Sequence, residues 1–327
     1  MPFSKKVIII SGPTACGKTL WGIELGQYLQ TSFNTPAQII NFDSLLFYRE
    51  LNIGTAKPTN AERGLIPHHL IDVASISHPM NAAAFFQRAS ALLNDFLQQD
   101  QVVILVGGSG FYLRALLKGM YSGETTPDNV KKDLEGLYQR EGIAPLLQML
   151  RDLDPASFQE LHMNDHYRIT RALEYVLTHQ RPISEDKKIL AEQRPYDFSQ
   201  TIYPHIRFFH IYLDLPKEEH RLRVIERSRK MIEQGLIEEV QGLLSAGFTG
   251  KEKPLQSIGY SQVLSYLSGE IKNINECLEK INLATRQLAK AQRTFFKKIT
   301  PKNSYHPFGQ RDQILGDLDF FLKEVSF

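Results

Sequence analysis

The sequence predicts an α/β protein, a parallel sheet flanked by helices with an all-helical insertion. Three observations carry this. Short β-branched runs alternate with stretches of helical spacing over the first 120 residues, and the pattern resumes after residue 200. The run Val102–Val106 is unbroken and apolar, as expected of a strand covered on both faces. Residues 121–199 carry helix signals but no strand run. The expected division is a core of residues 1–120 and 200–327 around an insertion of residues 121–199.

Val7–Ile10 predicts the first strand, and residues 18–30 follow with helical spacing. Gln38–Phe42 predicts the second strand. Over residues 82–99, Phe85, Phe86, Ala89, Leu92, Leu93 and Phe96 recur at three- and four-residue steps, which predicts a helix. Val102–Val106 predicts the third strand. Within the insertion, Thr126-Pro127 and Asp154-Pro155 are cap-then-proline helix starts, and Asn164-Asp165 opens a helix to about His179. Ile206–Leu213 predicts a returning strand. Helices are expected at about 216–233, 235–245, 257–268 and 273–299.

Composition excludes several classes. The 327 residues allow a core that needs no disulfide or metal staple. With 38 Lys and Arg against 36 Asp and Glu, the net charge is +2, which excludes an acidic tail protein and a globally basic nucleic-acid packer. Two cysteines, Cys16 and Cys277, make no disulfide framework and suggest a reducing compartment. No apolar run is long enough to span a bilayer, and the four apolar residues before Ser11 make no signal peptide. A cytoplasmic protein with no membrane partner is expected, and nothing in the sequence indicates an oligomer, so a monomer is expected.

Gly12-Pro13-Thr14-Ala15-Cys16-Gly17-Lys18-Thr19 fits G-x-x-x-x-G-K-[ST] between a strand and a helix. The glycines let backbone N–H groups converge on one oxyanion, and the helix N-terminus adds partial positive charge. Lys18 neutralises phosphate oxygens, and the Thr19 hydroxyl can ligate Mg²⁺. The core is therefore expected to be P-loop NTPase-like. The motif specifies phosphate or diphosphate, not ATP.

Ligands in open parallel sheets bind beyond the carboxyl ends of the strands. That rule brings the phosphate loop, Asp43-Ser44 and Gly107-Gly108-Ser109-Gly110 to one crevice. Asp43 is the candidate base or metal partner. The glycine turn is no dinucleotide fingerprint, because Leu113 stands where a third glycine would be needed. His68-His69 read as loop histidines with structural hydrogen bonds, since neighbours in sequence rarely face one ion. Cys16 reads as a small spacer. Residues 281–311 hold no Asp or Glu, and Arg286, Lys290, Arg293 and Lys297 share a helix face. Arg223, Arg227 and Lys230 make a second stripe, and Arg168 and Arg171 a third pair. Such concentrated basicity fits a phosphate-rich macromolecule as well as a solvated face.

Together these segments resemble the tRNA dimethylallyltransferases (tRNA isopentenyltransferases). The resemblance runs through Gly12–Thr19, Asp43-Ser44, Tyr48, Asn52–Pro58, Pro67–Asp72, Gly107–Tyr112, Asn164–Glu174, Ile258-Gly259-Tyr260 and Ala284–Lys290, in order over nearly the whole chain. The family usually carries Ser at Cys16, Thr at Ser109, Gln at Leu46, Lys-Arg-Gln at Lys290-Ala291-Gln292 and Trp-Phe at Phe295-Phe296.

The resemblance implies transfer of a dimethylallyl group from dimethylallyl diphosphate to N6 of the adenosine immediately 3′ of the anticodon. Asp43 would be the general base. Gly12–Thr19, Arg223 and Ser109 would serve the diphosphate, with Mg²⁺ on Thr19. The tRNA anticodon stem-loop would be read by Asp43, Ser44, Leu45 and Leu46, by Tyr167, Arg168, Ile169, Thr170 and Arg171, and by Gln256, Ser257, Ile258, Gly259, Tyr260 and Ser261. Ser109 and Lys131 would add contacts, Arg286 and Lys290 would hold phosphates, and the acceptor base would swing out of its stack. Two other readings use the same residues. A small-molecule kinase would place ATP on the loop, and a GTPase-like RNA-binding module would need an N-K-x-D that the chain lacks.

Overall fold

The structure, a computed structural model, describes residues 5–119, 126–192 and 194–324. It falls into two compact units, Met1–Gly119 with Tyr196–Phe327, and Met120–Pro195.

The first unit begins with β1 (Lys6–Ser11), α1 (Lys18–Phe33), β2 (Ala37–Asn41), α2 (Asn60–Leu65), β3 (His68–His69), α3 (Ala82–Gln98), β4 (Val102–Gly107) and α4 (Gly110–Lys118). The second unit holds α5 (Asp128–Glu141), α6 (Ala144–Leu153), α7 (Pro155–Glu160), α8 (His166–His179) and α9 (Ile183–Glu192). The first unit then resumes with β5 (Arg207–Leu213), α10 (Lys217–Glu233), α11 (Leu236–Ser245), α12 (Tyr260–Leu267), α13 (Ile274–Lys297), β6 (Asn303–Tyr305) and α14 (Arg311–Lys323).

The six strands form one parallel sheet in the order β3-β2-β4-β1-β5-β6. The predicted parallel α/β core is therefore present, with β1 at its centre. Val7 and Ile9 point into one hydrophobic cluster and Ile8 and Ile10 into the other, all fully buried. That two-sided burial is why the run shows no alternation. Lys6 is also buried. Its Nζ donates to the carbonyls of Leu322 and Glu324 and so caps the end of α14.

The sequence reading missed β3 and β6, edge strands of two and three residues. His68 and His69 are not loop residues but β3 itself. Their rings bond the Ile66 carbonyl and the Gln38 side chain, each at 2.7 Å. Residues 196–199, assigned by sequence to the insertion, belong to the core unit. The Phe198 amide donates to the Thr300 carbonyl, and the Tyr196 ring packs edge-on against Phe295. The expected junction at residues 120 and 121 lies outside the described residues.

His210 on β5 is buried beside Ser11, with Nε2 2.6 Å from Oγ. Burial holds its pKa down at about 3. The unfolded chain therefore binds a proton between about pH 6.5 and 3 that the folded protein refuses, so stability falls as pH drops through that window. The expected slope is up to about 1.4 kcal/mol per pH unit. Denaturant midpoints at pH 7.5 and 5.5 check this. H210F should lose less stability than wild type over that interval, and an equal loss would dismiss His210 as the cause.

Candidate active site

The phosphate loop leaves β1 and enters α1 in the expected place. Ala15 and Gly17 have φ of 64° and 89°, the alternation that turns successive N–H groups inward. Lys18 opens α1, and its Nζ folds back on the Pro13 carbonyl at 2.9 Å. Thr19 lies in the first turn. Cys16 is fully buried, and burial pushes its thiol pKa up against the pull of Lys18, so it is a spacer rather than a nucleophile.

Thr14 is held at all three polar groups. Its amide donates to Gln292 Oε1 at 2.8 Å, its carbonyl accepts from His220 Nε2 at 2.8 Å, and its hydroxyl accepts from Arg227 at 3.0 Å. His220 and Arg227 come from α10 and Gln292 from α13. Arg227 also donates to the Thr55 carbonyl at 3.2 Å. Burial lowers its pKa, opposed by the nearby Asp43 carboxylate.

Asp43 stands at the end of β2. Its amide donates to Asn41 Oδ1 at 2.9 Å, and its carboxylate accepts weakly from the Leu45 amide at 3.4 Å, capping the 3-10 turn Ser44–Phe47. It is thus both a turn cap and a cavity residue. Thr14, Asp43, Ser44, Leu45, Gly54, Thr55, Gly108, Ser109, Arg227, Ile258, Gly259 and Gln292 all line one cavity of about 350 Å³. Ser109 opens α4 without a side-chain cap bond, so its hydroxyl is not spent on the helix. The three strand-end loops therefore meet, as the sheet rule requires.

A family profile described as IPP transferase matches residues 46–299. The tRNA dimethylallyltransferase of Geobacter metallireducens is 38% identical over 293 residues, 90% of each chain. The tRNA dimethylallyltransferase 2 of Geotalea uraniireducens is 40% identical over 293 residues, covering 90% of this chain and 89% of that one. The chain belongs to this family. Among solved structures, the tRNA isopentenylpyrophosphate transferase of Bacillus halodurans superposes with a TM-score of 0.67 at 26% identity, over 97% of this chain and 96% of that one. A eukaryotic dimethylallyltransferase acting on tRNA gives 0.76 at 22% identity over 99% of this chain and 81% of that one, which bears on the fold alone. These relatives favour prenyl transfer and give no support to the kinase reading.

Against the family's expected site, several positions differ. Among the described residues, Arg223 makes no hydrogen bond to the phosphate loop. Its guanidinium stacks over the Phe308 ring, 3.7 Å from the centroid, and lies 3.8 Å from Glu219. A side-chain carbon on Gly17 would lie 3.3 Å from that same ring, so Phe308 stands between Arg223 and the loop. Arg227, one turn further along α10, is the arginine on the loop.

Tyr260 is no exposed base reader. It is fully buried against Gly54, and its hydroxyl donates to Glu239 Oε1 at 2.6 Å. Burial, then the Glu239 carboxylate, push its pKa far up. The same carboxylate accepts from the amides of Asn52, Ile53 and Gly54 at 3.0, 2.9 and 3.4 Å. Tyr260 and Glu239 thus hold the Gly54-Thr55 wall of the cavity from behind. Y260F should cost about 1.5–3 kcal/mol, the worth of a hydrogen bond to a charged group, without changing tRNA affinity. Urea unfolding with tRNA titration checks both, and unchanged stability with weakened tRNA binding would restore the reader role.

The neighbouring family segment divides. Ile258 and Gly259 line the cavity. Gln256 donates to the Gly250 carbonyl and Ser257 to the Pro254 carbonyl, so both side chains serve the local turn. The Ser261 amide donates to the Ser257 carbonyl within the start of α12. Leu46 is partly buried, its carbonyl accepting from the Asp72 amide at 3.1 Å.

In the helical unit, Ile169 is fully buried with Leu134, Leu146, Leu150 and Leu173, so it belongs to that unit's core and not to an RNA surface. Helical spacing puts Ile169, Ala172, Leu173 and Val176 on the buried face, leaving Tyr167 and Arg168 exposed. Thr170 is half-buried, Arg171 pairs with Glu174, and Lys131 lies 3.1 Å from Asp128.

The α13 stripe also divides. Arg293 turns inward to a multiple-contact pair with Asp214 at 2.8–3.0 Å. Arg286 and Lys290 are exposed and line a separate groove of about 610 Å³ with Lys217 and Arg221 of α10. Among the described residues no helix is long and apolar enough to cross a membrane.

Proposed function

We propose that this protein transfers a dimethylallyl group from dimethylallyl diphosphate to N6 of adenosine 37, immediately 3′ of the anticodon in tRNA, releasing diphosphate. The observation that carries this reading is the shared cavity: the phosphate loop at Thr14, a carboxylate at Asp43 and a cation at Arg227 line one space of about 350 Å³. A kinase could use the same carboxylate on a hydroxyl acceptor, but it would leave the exposed Arg286 and Lys290 of α13 and the helical unit without a role.

The exocyclic amine is a weak nucleophile because its lone pair is delocalised into the ring. As the N6–C1 bond forms and the C1–O bond breaks, Asp43 takes the N6 proton, and the bonding pair leaves with the diphosphate. Loop amides, Lys18 and Arg227 face the charge that grows on that leaving group, and donors fixed there favour the transition state over the ground state. Ser109 supports the amine or the diphosphate from the β4 side.

Thr19 supplies one hard oxygen. No cluster of three or more His, Cys, Asp or Glu that could hold a metal occurs among the described residues. That donor set fits a magnesium ion completed by diphosphate oxygens and water. When bound, such an ion would neutralise leaving-group charge. Exposed Tyr167, Arg168, Arg286 and Lys290 are suited to tRNA bases and phosphates.

The test is incubation with labelled dimethylallyl diphosphate and unmodified tRNA, without ATP. Label is expected in the RNA at the adenosine 3′ of the anticodon. No label in RNA, with ATP-dependent phosphorylation of a hydroxyl acceptor instead, would overturn the reading.

A further inference from the structure

We propose that Gln292 is a positioning residue for the transfer step, setting the separation between the diphosphate side and the amine side of the cavity. The inference rests on the function proposed above and extends it to a residue that acts through two loops.

Gln292 lies in α13, and its carboxamide spans the cavity floor. Oε1 accepts from the Thr14 amide of the phosphate loop at 2.8 Å, and Nε2 donates to the Gly108 carbonyl after β4 at 3.0 Å. Only a primary amide offers an acceptor and a donor at one end of an uncharged side chain of this length. The place it reaches is crowded. A side-chain carbon at Gly108 would lie 2.6 Å from Gln292 Nε2, 3.5 Å from Asp43 Oδ2 and 3.5 Å from the Gly12 carbonyl. The cradle, the base and the Gln292 amide therefore converge around one glycine that has no room for a side chain.

The physical consequence concerns distance. A displacement at carbon needs the incoming nitrogen, the carbon and the departing oxygen in line, and an error near 1 Å can cost about 10²-fold in rate. The departing oxygen belongs to the phosphate-loop side and the nitrogen to the Asp43-Ser109 side. Among the described residues, Gln292 is the side chain that bonds the backbones of both. The remaining holds on Thr14, from His220 and Arg227, fix the phosphate loop to α10 and leave the Gly108 side untouched.

Two variants separate this role from simple anchoring of α13. Q292L removes both bonds at similar volume. Q292E keeps an acceptor for Thr14 but sets an oxygen against the Gly108 carbonyl. With the wild type prenylating tRNA in parallel, kcat should fall about 10²-fold in both variants. In Q292E the added carboxylate repels diphosphate, so the affinity for inorganic diphosphate, measured by calorimetry, should fall, but by no more than about tenfold and so by less than kcat. Affinity for tRNA should not change in either. The proposal is overturned if kcat stays within about threefold of wild type, or if kcat, tRNA affinity and melting temperature fall together. Should Q292L fail to fold, the split between rate and diphosphate affinity in Q292E decides alone. A wild type that does not prenylate tRNA defeats the functional reading itself, a result distinct from either variant outcome.

Discussion

Replacing Asp43 with asparagine should lower the rate of prenyl transfer by about 10²–10⁴-fold, the usual worth of a positioned general base. The substitution preserves shape. Asn can still accept from the Leu45 amide at 3.4 Å, and the Asn41 bonds to the Asp43 backbone do not involve the side chain. What disappears is, among the described residues that line the cavity, the only carboxylate able to take a proton from an aryl amine. Loss of the negative charge also removes a carboxylate whose field acts on the half-buried Arg227 guanidinium, which should strengthen rather than weaken diphosphate binding. Single-turnover transfer of labelled prenyl group, with tRNA affinity measured separately, gives the two quantities. A transfer rate near that of wild type would show that the proton leaves by another route.

The parts of this site that were legible in the sequence are those in which local chain geometry does the positioning. Gly12–Thr19 is contiguous, so its backbone conformation is dictated by its own residues. Asp43 and Ser109 follow from a topological rule, because a residue one step past a parallel strand must stand at the carboxyl edge. Arg227 and Gln292 obey neither logic. They reach Thr14 across 213 and 278 positions of sequence, and only the packing of α10 and α13 decides which residue of each helix faces the loop. Arg223 and Arg227 are one turn apart, so charge pattern could not rank them. It took the Phe308 ring, brought in by the segment after β6, to occupy Arg223.

Tyr260 and Ile169 were misplaced for a related reason. A residue inside a motif is assigned to function when its burial is unknown, yet Tyr260 answers to Glu239 and Ile169 to the core of the helical unit. In the sheet, β1 and β4 announce themselves by unbroken apolar runs and β2 and β5 by β-branched and aromatic residues, whereas β3 and β6 are too short to have a pattern.

The second large effect falls on Gly12. Its φ is +152°, and a side-chain carbon there would lie 2.2 Å from the Leu213 carbonyl oxygen and 2.8 Å from Cys16 Sγ. Neither neighbour can yield. Leu213 ends β5, whose register against β1 pairs Ile10 with Ile211 and Ser11 with Tyr212, so moving its carbonyl means breaking the central pairing of the sheet. Cys16 is fully buried within the loop itself. In G12A the loop must therefore be the part that shifts, and the shift begins two residues before Thr14, where three hydrogen bonds fasten it to α10 and α13. Misaimed amides lose their common focus, and diphosphate affinity should fall by about 100-fold, equivalent to about 2.7 kcal/mol. The matched control is G242A. Gly242 sits inside α11 with nothing within 4 Å of the added carbon, and alanine there should stabilise the helix by about 0.5–1 kcal/mol without touching catalysis. Calorimetric titration of inorganic diphosphate into both variants separates local damage from global. If G12A binds diphosphate as wild type does while G242A behaves as expected, then the cradle tolerates a side chain at its first glycine and the close approach to β5 is not what shapes it.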